Sequence, residues 1–189
     1  MKNICVFCGS SPGADPAYLQ MANKLGREIA ARGLGLVYGS SNLGLMGEVA
    51  KGALLGSAPV VGVLPKVFDG RVQHPDLTEL IVTDTMHQRK AKMFEISDGF
   101  IALPGGFGTF EELLEILTWS QIGYSSKPCG ILNVNGYYDE LLKFFDRSVE
   151  MRFVKQEHRD AIIVDTDPKK ILDKFEKYKP VIIDKWIDK

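Results

Sequence analysis

The chain has 189 residues, with 23 Lys and Arg against 24 Asp and Glu for a formal net charge of −1 at pH 7. That balance argues against a nucleic-acid surface, which needs clustered excess cations to displace counterions. A make-up of 45% hydrophobic and 25% charged residues is that of a globular domain and excludes a disordered chain.

No apolar run approaches the roughly 18 residues of a membrane helix. After Met1-Lys2-Asn3, the run at 4–8 is too short for a signal peptide. A cytoplasmic protein without membrane or nucleic-acid partners is expected. Three cysteines (Cys5, Cys8, Cys129) cannot all pair, which agrees. Cys5 and Cys8 spell CxxC, but they lie three apart on a predicted strand and face opposite sides. They read as two small buried hydrophobes, and no metal is expected.

In chain order, short apolar runs fall at 4–8, 34–38, 60–64, 80–82, 100–103, 130–132 and 162–164. Helix-length patterns lie between or after them at 16–32, 43–55, 86–96, 110–122, 138–151 and 169–178. Most of the runs are continuously apolar, as parallel strands covered on both faces must be. The alternation predicts an α/β fold: one doubly wound, Rossmann-like parallel sheet with helices on both faces. No linker or repeat divides it, so 1–189 reads as a single nucleotide-binding domain.

Ligands of such sheets sit beyond the carboxyl ends of the strands, so the loops after each strand carry the information. Three are rich in small residues: Gly9-Ser10-Ser11-Pro12-Gly13, the stretch from Gly39 through Gly44 to Gly47, and Pro104-Gly105-Gly106-Phe107-Gly108-Thr109. Any one alone would be no more than a tight turn. Three on one edge point to a phosphate-bearing ligand, because backbone N–H groups can approach it closely. No Gly-Lys-Ser/Thr closes a P-loop, and the first loop lacks GxGxxG spacing. The second strand ends in Tyr38-Gly39, where a dinucleotide site would place a carboxylate. A mononucleotide fits better.

Thr109-Phe110-Glu111-Glu112 reads first as a capping box, which would tie Glu112 to the Thr109 backbone. Thr85-Met86-His87-Gln88 reads as a second one, placing Arg89 and Lys90 near the start of the helix at 86–96. Cations there oppose the helix dipole and ask for an anionic partner; a solvated helix face is the bland alternative. His87 reads as a surface residue.

Together, Met86-His87-Gln88-Arg89-Lys90 and the Pro-Gly-Gly-x-Gly-Thr-x-x-Glu pattern at 104–112 resemble the Lonely Guy family of cytokinin riboside 5′-monophosphate phosphoribohydrolases. The likeness continues through Val37-Tyr38-Gly39, Thr118-Trp119-Ser120-Gln121 and the stretch from Asn133 to Tyr138. Members of that family have carried the label "lysine decarboxylase", although no Ser-x-His-Lys segment for pyridoxal phosphate is present here. The resemblance implies hydrolysis of the N-glycosidic bond of an adenosine 5′-monophosphate, without a cofactor. It implies Arg89 and Glu112 as catalytic residues. The substrate-binding set would be Ser10, Gly39, Gly44, Met86, Arg89, Lys90, Gly105, Gly106, Phe107, Gly108, Thr109, Glu111, Glu112 and Thr118.

A homodimer is also implied, with Trp119, Ile122, Tyr124, Tyr137 and Tyr138 as candidate contacts. Ser40-Ser41 depart from the glycines usual in the family, and serine tolerates positive φ poorly. For Arg89 the residues leave three roles open: orienting Glu112, holding phosphate or assisting the leaving base. A non-catalytic nucleotide or cofactor carrier, or a nucleotide-sensing module, could use the same loops.

Overall fold

The computed structural model describes residues 1–68 and 75–181. The expected domain span of 1–189 therefore includes two stretches, 69–74 and 182–189, outside the described residues. Strands β1 (Asn3–Phe7), β2 (Gly35–Tyr38), β3 (Val60–Pro65), β4 (Glu79–Thr83), β5 (Gly99–Ala102), β6 (Cys129–Leu132) and β7 (Ile163–Asp165) form one sheet. Their order is β4-β3-β2-β1-β5-β6-β7, and every pairing is parallel. The register sets Ile4 beside Leu36 of β2 and Cys5 beside Phe100 of β5. From β1 the chain builds outward to β4, then returns to place β5 on the other side of β1. That reversal opens a crevice at the carboxyl end of β1.

The helices are α1 (Pro16–Ala31), α2 (Gly44–Leu55), α3 (Met86–Ile96), α4 (Phe107–Gln121), α5 (Asp139–Glu150), the short α6 (Gln156–Asp160) and α7 (Pro168–Glu176). Alternate strand residues split the core in two. Ile4, Val6 and Cys8 pack with Leu25, Val49 and Phe175 from α1, α2 and α7. Cys5, Phe7 and Phe100 pack with Met93, Leu113 and Ile116 from α3 and α4. The two cysteines thus face opposite layers, and all three thiols are free and buried.

Helices α1 and α2 approach backbone to backbone. A Cβ on Gly26 would lie 2.1 Å from the Val49 carbonyl oxygen, and one on Gly52 would lie 2.2 Å from that of Asn23. The contact fixes where α2 begins, which is at the crevice. No helix among the described residues is long and apolar enough to cross a membrane.

The helix at 110–122 begins three residues earlier than its apolar pattern suggests, at Phe107 with Gly106 as N-cap. Leu114, next to the buried Leu113 in this helix, is 43% exposed. Trp119 and Tyr124 meet the Phe94 ring at 4.8 and 5.9 Å, so both take part in packing within the chain. Tyr138 is fully enclosed in the core.

Candidate active site

Three helices begin at the crevice, and their N-termini are satisfied differently. In α3, Thr85 and Gln88 form the expected capping box, the Thr85 side chain accepting from Gln88 N and Gln88 accepting from Thr85 N. In α2, the Leu45 and Met46 N–H groups both donate to the Gly9 carbonyl, at 3.0 and 3.3 Å. Helix α4 has no side-chain cap at all. Its positive end is therefore left uncapped by the chain's own side chains. The capping box anticipated from Thr109 and Glu112 is absent because both residues lie inside α4 and Glu112 has another partner.

That partner is Arg89. Its Nη1 donates to Glu112 Oε1 at 2.6 Å, and its Nε donates to the Val63 carbonyl at 3.0 Å. The pair is buried, with side-chain exposures of 8% for Arg89 and 11% for Glu112. Burial, the largest influence, raises the Glu112 carboxyl above its ordinary value, and the Arg89 charge and hydrogen bond oppose it only in part. Arg89 reaches this place because residue 39 is glycine. A Cβ there would stand 2.4 Å from Arg89 Nη2 and 2.3 Å from Met46 Cε.

Lys90 makes a parallel connection. Its ammonium pairs with Glu111 and, at 3.0 Å, with Glu115. Burial alone would lower it, but those carboxylates prevail and hold it above the ordinary lysine value. The anions that Arg89 and Lys90 require at the start of α3 are thus side chains of α4. Three carboxylates in five residues are tolerated there because two cations from a neighbouring helix lie among them.

The cleft has a volume of about 490 Å³. Of the residues expected at the site, Ser10, Gly39, Met86, Arg89, Gly106, Gly108, Thr109, Glu111 and Glu112 line it together. The others stand behind or beyond it. Gly44 has φ 55 and lies against the Ser10–Ser11 backbone, supporting the first loop. Gly105 fits between Thr109 and Gly9, where a Cβ would come within 2.2 Å of the Thr109 hydroxyl. Phe107 is 92% exposed outside the cleft, and Lys90 acts through its carboxylates. Thr118 lies nine residues beyond Thr109, about 14 Å along the helix, and donates to the Leu114 carbonyl at 2.7 Å. It is not part of this chain's cleft.

One wall escaped the sequence reading. Leu43, Met46, Leu64, Pro65 and Phe68 make up an apolar part of the cleft lining. No small-residue loop follows β3, which ends in the apolar Leu64-Pro65, so the sequence pattern carries no signal for it. Cys8 also lines the cleft. Burial first, then the Glu112 charge, pushes its thiol far up, so it is not a nucleophile at neutral pH. Ser40 carries the departure noted above. It adopts φ 70, fully buried, and its hydroxyl has no hydrogen-bond partner.

Among the described residues no lysine lines the cleft, so a Schiff base with pyridoxal phosphate has no anchor there. No group of three His, Cys, Asp or Glu among them could hold a metal.

A family model described as "Possible lysine decarboxylase" matches residues 46–175. The chain is 47% identical over 180 residues to a probable cytokinin riboside 5′-monophosphate phosphoribohydrolase of Oryza sativa subsp. japonica, covering 95% of this chain and 72% of that protein. It is 46% identical over 180 residues to a cytokinin riboside 5′-monophosphate phosphoribohydrolase of Arabidopsis thaliana, covering 95% and 84%. Among solved structures, the molybdenum cofactor binding protein of Rippkaea orientalis shares the fold, with a TM-score of 0.71, 23% identity, and coverage of 93% of this chain and 96% of that one. Relatives this similar over nearly the whole chain, with the Arg89–Glu112 pair set in a nucleotide-sized cleft, show that the chain belongs to the Lonely Guy family of cytokinin riboside 5′-monophosphate phosphoribohydrolases.

Proposed function

We propose that this chain, as a single nucleotide-binding domain spanning 1–189, hydrolyses the N-glycosidic bond of N6-substituted adenosine 5′-monophosphates. The products are the free base and ribose 5-phosphate. The observation that carries the reading is a buried carboxylate, Glu112, held 2.6 Å from Arg89 on the helix whose uncapped N-terminus faces the same cleft.

In this account the 5′-phosphate rests on the start of α4, at Gly106 to Thr109. The ribose then lies beside Glu112, one turn further along. As the C1′–N9 bond breaks, positive charge develops on the sugar. The Glu112 carboxylate stabilises that charge and accepts a proton from the attacking water, whose oxygen bonds to C1′. The base departs carrying the electron pair of the broken bond and takes a proton from solvent, and Glu112 returns the proton of the attacking water to solvent, which restores the carboxylate. Arg89 spends Nε on Val63 and Nη1 on Glu112, which favours orientation of the carboxylate among its three candidate roles. The apolar wall from Leu43 to Phe68 suits the adenine ring and an apolar N6 substituent.

The reading includes a homodimer. It is supported by α5, none of whose residues is fully buried although Phe144 is 65% exposed, and by Leu114 and Phe153 beside it. Free thiols at all three cysteines agree with a cytoplasmic location. Comparing kcat/KM for AMP and for an N6-prenylated AMP tests the substrate assignment. A clear preference for the prenylated nucleotide is expected, and an equal or reversed preference would count against the role given to the apolar wall.

A further inference from the structure

Three consecutive carbonyls lead into the glycine loop, and each accepts a hydrogen bond from a different donor. The Tyr138 hydroxyl donates to Leu103 O at 2.7 Å, Gly9 N donates to Pro104 O at 3.0 Å, and the Tyr137 hydroxyl donates to Gly105 O. Every peptide among the described residues is trans. In a planar trans peptide the carbonyl of one residue and the N–H of the next point in opposite directions. A donor that holds the Gly105 carbonyl therefore also aims the Gly106 N–H, and Gly106 lines the cleft at the cap of α4. The Leu103 carbonyl aims nothing, because the next residue is Pro104 and has no N–H.

Tyr137 is itself firmly placed. Asn135 and Gly136 precede it in left-handed conformation, with φ 49 and 72. Asn135 Nδ2 donates to Asp15 Oδ2 at 2.8 Å, and Tyr137 N donates to Val134 O at 3.0 Å. Its ring meets Tyr18 and Tyr138 edge-on, at 5.8 and 5.0 Å.

We infer that Tyr137 is a positioning residue for the phosphate site: its hydroxyl, by holding the Gly105 carbonyl, orients the Gly106 N–H toward the substrate's 5′-phosphate. The inference rests on the proposed placement of phosphate at the start of α4. Tyr138, one residue on with the same type of bond, serves as the internal control. It supports the strand end without aiming a donor.

The test compares Tyr137→Phe and Tyr138→Phe with the wild type, all confirmed folded by circular dichroism. Steady-state kinetics with AMP are measured alongside calorimetric affinities for ribose 5-phosphate and for adenine. Tyr137→Phe is expected to raise the KM for AMP and the Kd for ribose 5-phosphate together, by about fivefold to thirtyfold. Its kcat, adenine affinity and melting temperature should stay near wild type. Tyr138→Phe is expected to lower the melting temperature while leaving the Kd for ribose 5-phosphate within twofold.

Equal weakening of adenine and ribose 5-phosphate by Tyr137→Phe would mean general loosening of the site and overturn the inference. So would unchanged affinity for ribose 5-phosphate, or the same phosphate-selective loss in Tyr138→Phe. A wild type that binds no ribose 5-phosphate would instead remove the phosphate placement, and the inference with it.

Discussion

At the scale of single residues, Glu112 is where the physical forces compete most sharply. Truncating one partner of a buried ion pair typically costs about 3–5 kcal/mol, because the other charge is left unpaired. Gln at 112 retains an acceptor for Arg89 and is neutral, the form that burial favours at this position, so a smaller cost of about 1 kcal/mol is expected from the weaker hydrogen bond. Burial raises the folded-state pKa of Glu112. The carboxylate must be charged to act, so activity should fall on the acid side with a midpoint above the usual glutamate value of about 4.3. The stability sign is opposite. A raised carboxyl favours the folded state fully below its unfolded pKa, and that contribution is lost as pH rises through the folded pKa. Relative to wild type, Glu112→Gln should therefore gain stability with rising pH across that window. An acid limb at the ordinary carboxylate value, measured as kcat/KM against pH, would contradict the assignment.

Ser40 offers a second residue-level test. A left-handed conformation costs a non-glycine residue about 1–2 kcal/mol, and glycine returns about 0.5–1 kcal/mol of that through its freer unfolded chain. Ser40→Gly also removes a buried hydroxyl that lacks a partner. Net stabilisation of about 0.5–1 kcal/mol is expected, seen as a melting temperature higher by about 1–4 °C. A lower melting temperature would mean the hydroxyl has an unrecognised structural use. The sequence flagged this serine, but its burial and missing partner follow only from the neighbouring strands.

Among the elements, the strands were the most legible. Continuously apolar runs of three to five residues suit strands covered on both faces, and the observed ends fall within one residue of them. The five-residue α6 was not foreseen, being too short to show helical periodicity. The start of α4 was misread for a physical reason. Glycines at 106 and 108 hide helix that begins before the apolar stripe, and the Thr-x-x-Glu spacing suits a cap that forms only if Glu112 is free. Arg89, 23 positions away, takes it. The α1–α2 contact makes its own prediction. Ala at 26 would gain up to about 1 kcal/mol in helix propensity, but its Cβ would meet backbone atoms of α2 at 2.1 and 2.7 Å. Backbone cannot rotate aside as a side chain can, so a net loss of about 1–2 kcal/mol is expected. Because α2 carries Met46 into the cleft, the KM for the nucleotide should rise as well. Gly26→Ala with wild-type stability and KM would show that the helices can separate without consequence to the site.

At the scale of the molecule, the parallel order, the crevice at β1 and the glycine loop all agreed with a nucleotide site. The apolar wall was not legible. Of the candidate contacts, Tyr138 is buried and Trp119 packs on Phe94, whereas Ile122, Tyr124 and Tyr137 are exposed, as Leu114, Phe144 and Phe153 are beyond the half-buried face of α5. Aromatic residues signal burial without saying against what, and only the folded chain separates the two cases. Light scattering at micromolar concentration should give twice the chain mass, as expected of a closed two-fold assembly. A fully active monomer would remove the second subunit from the account.

In the proposed reaction Glu112, held by Arg89, drives cleavage of the N-glycosidic bond. That role is tested most directly by product analysis of wild type and Glu112→Gln, incubated with AMP and with N6-prenylated AMP at a temperature where both are folded. The wild type should release equimolar free base and ribose 5-phosphate, and the variant should do so at a rate lower by roughly 10²-fold or more. Release of no base by the wild type, or near-normal turnover by the folded variant, would contradict it.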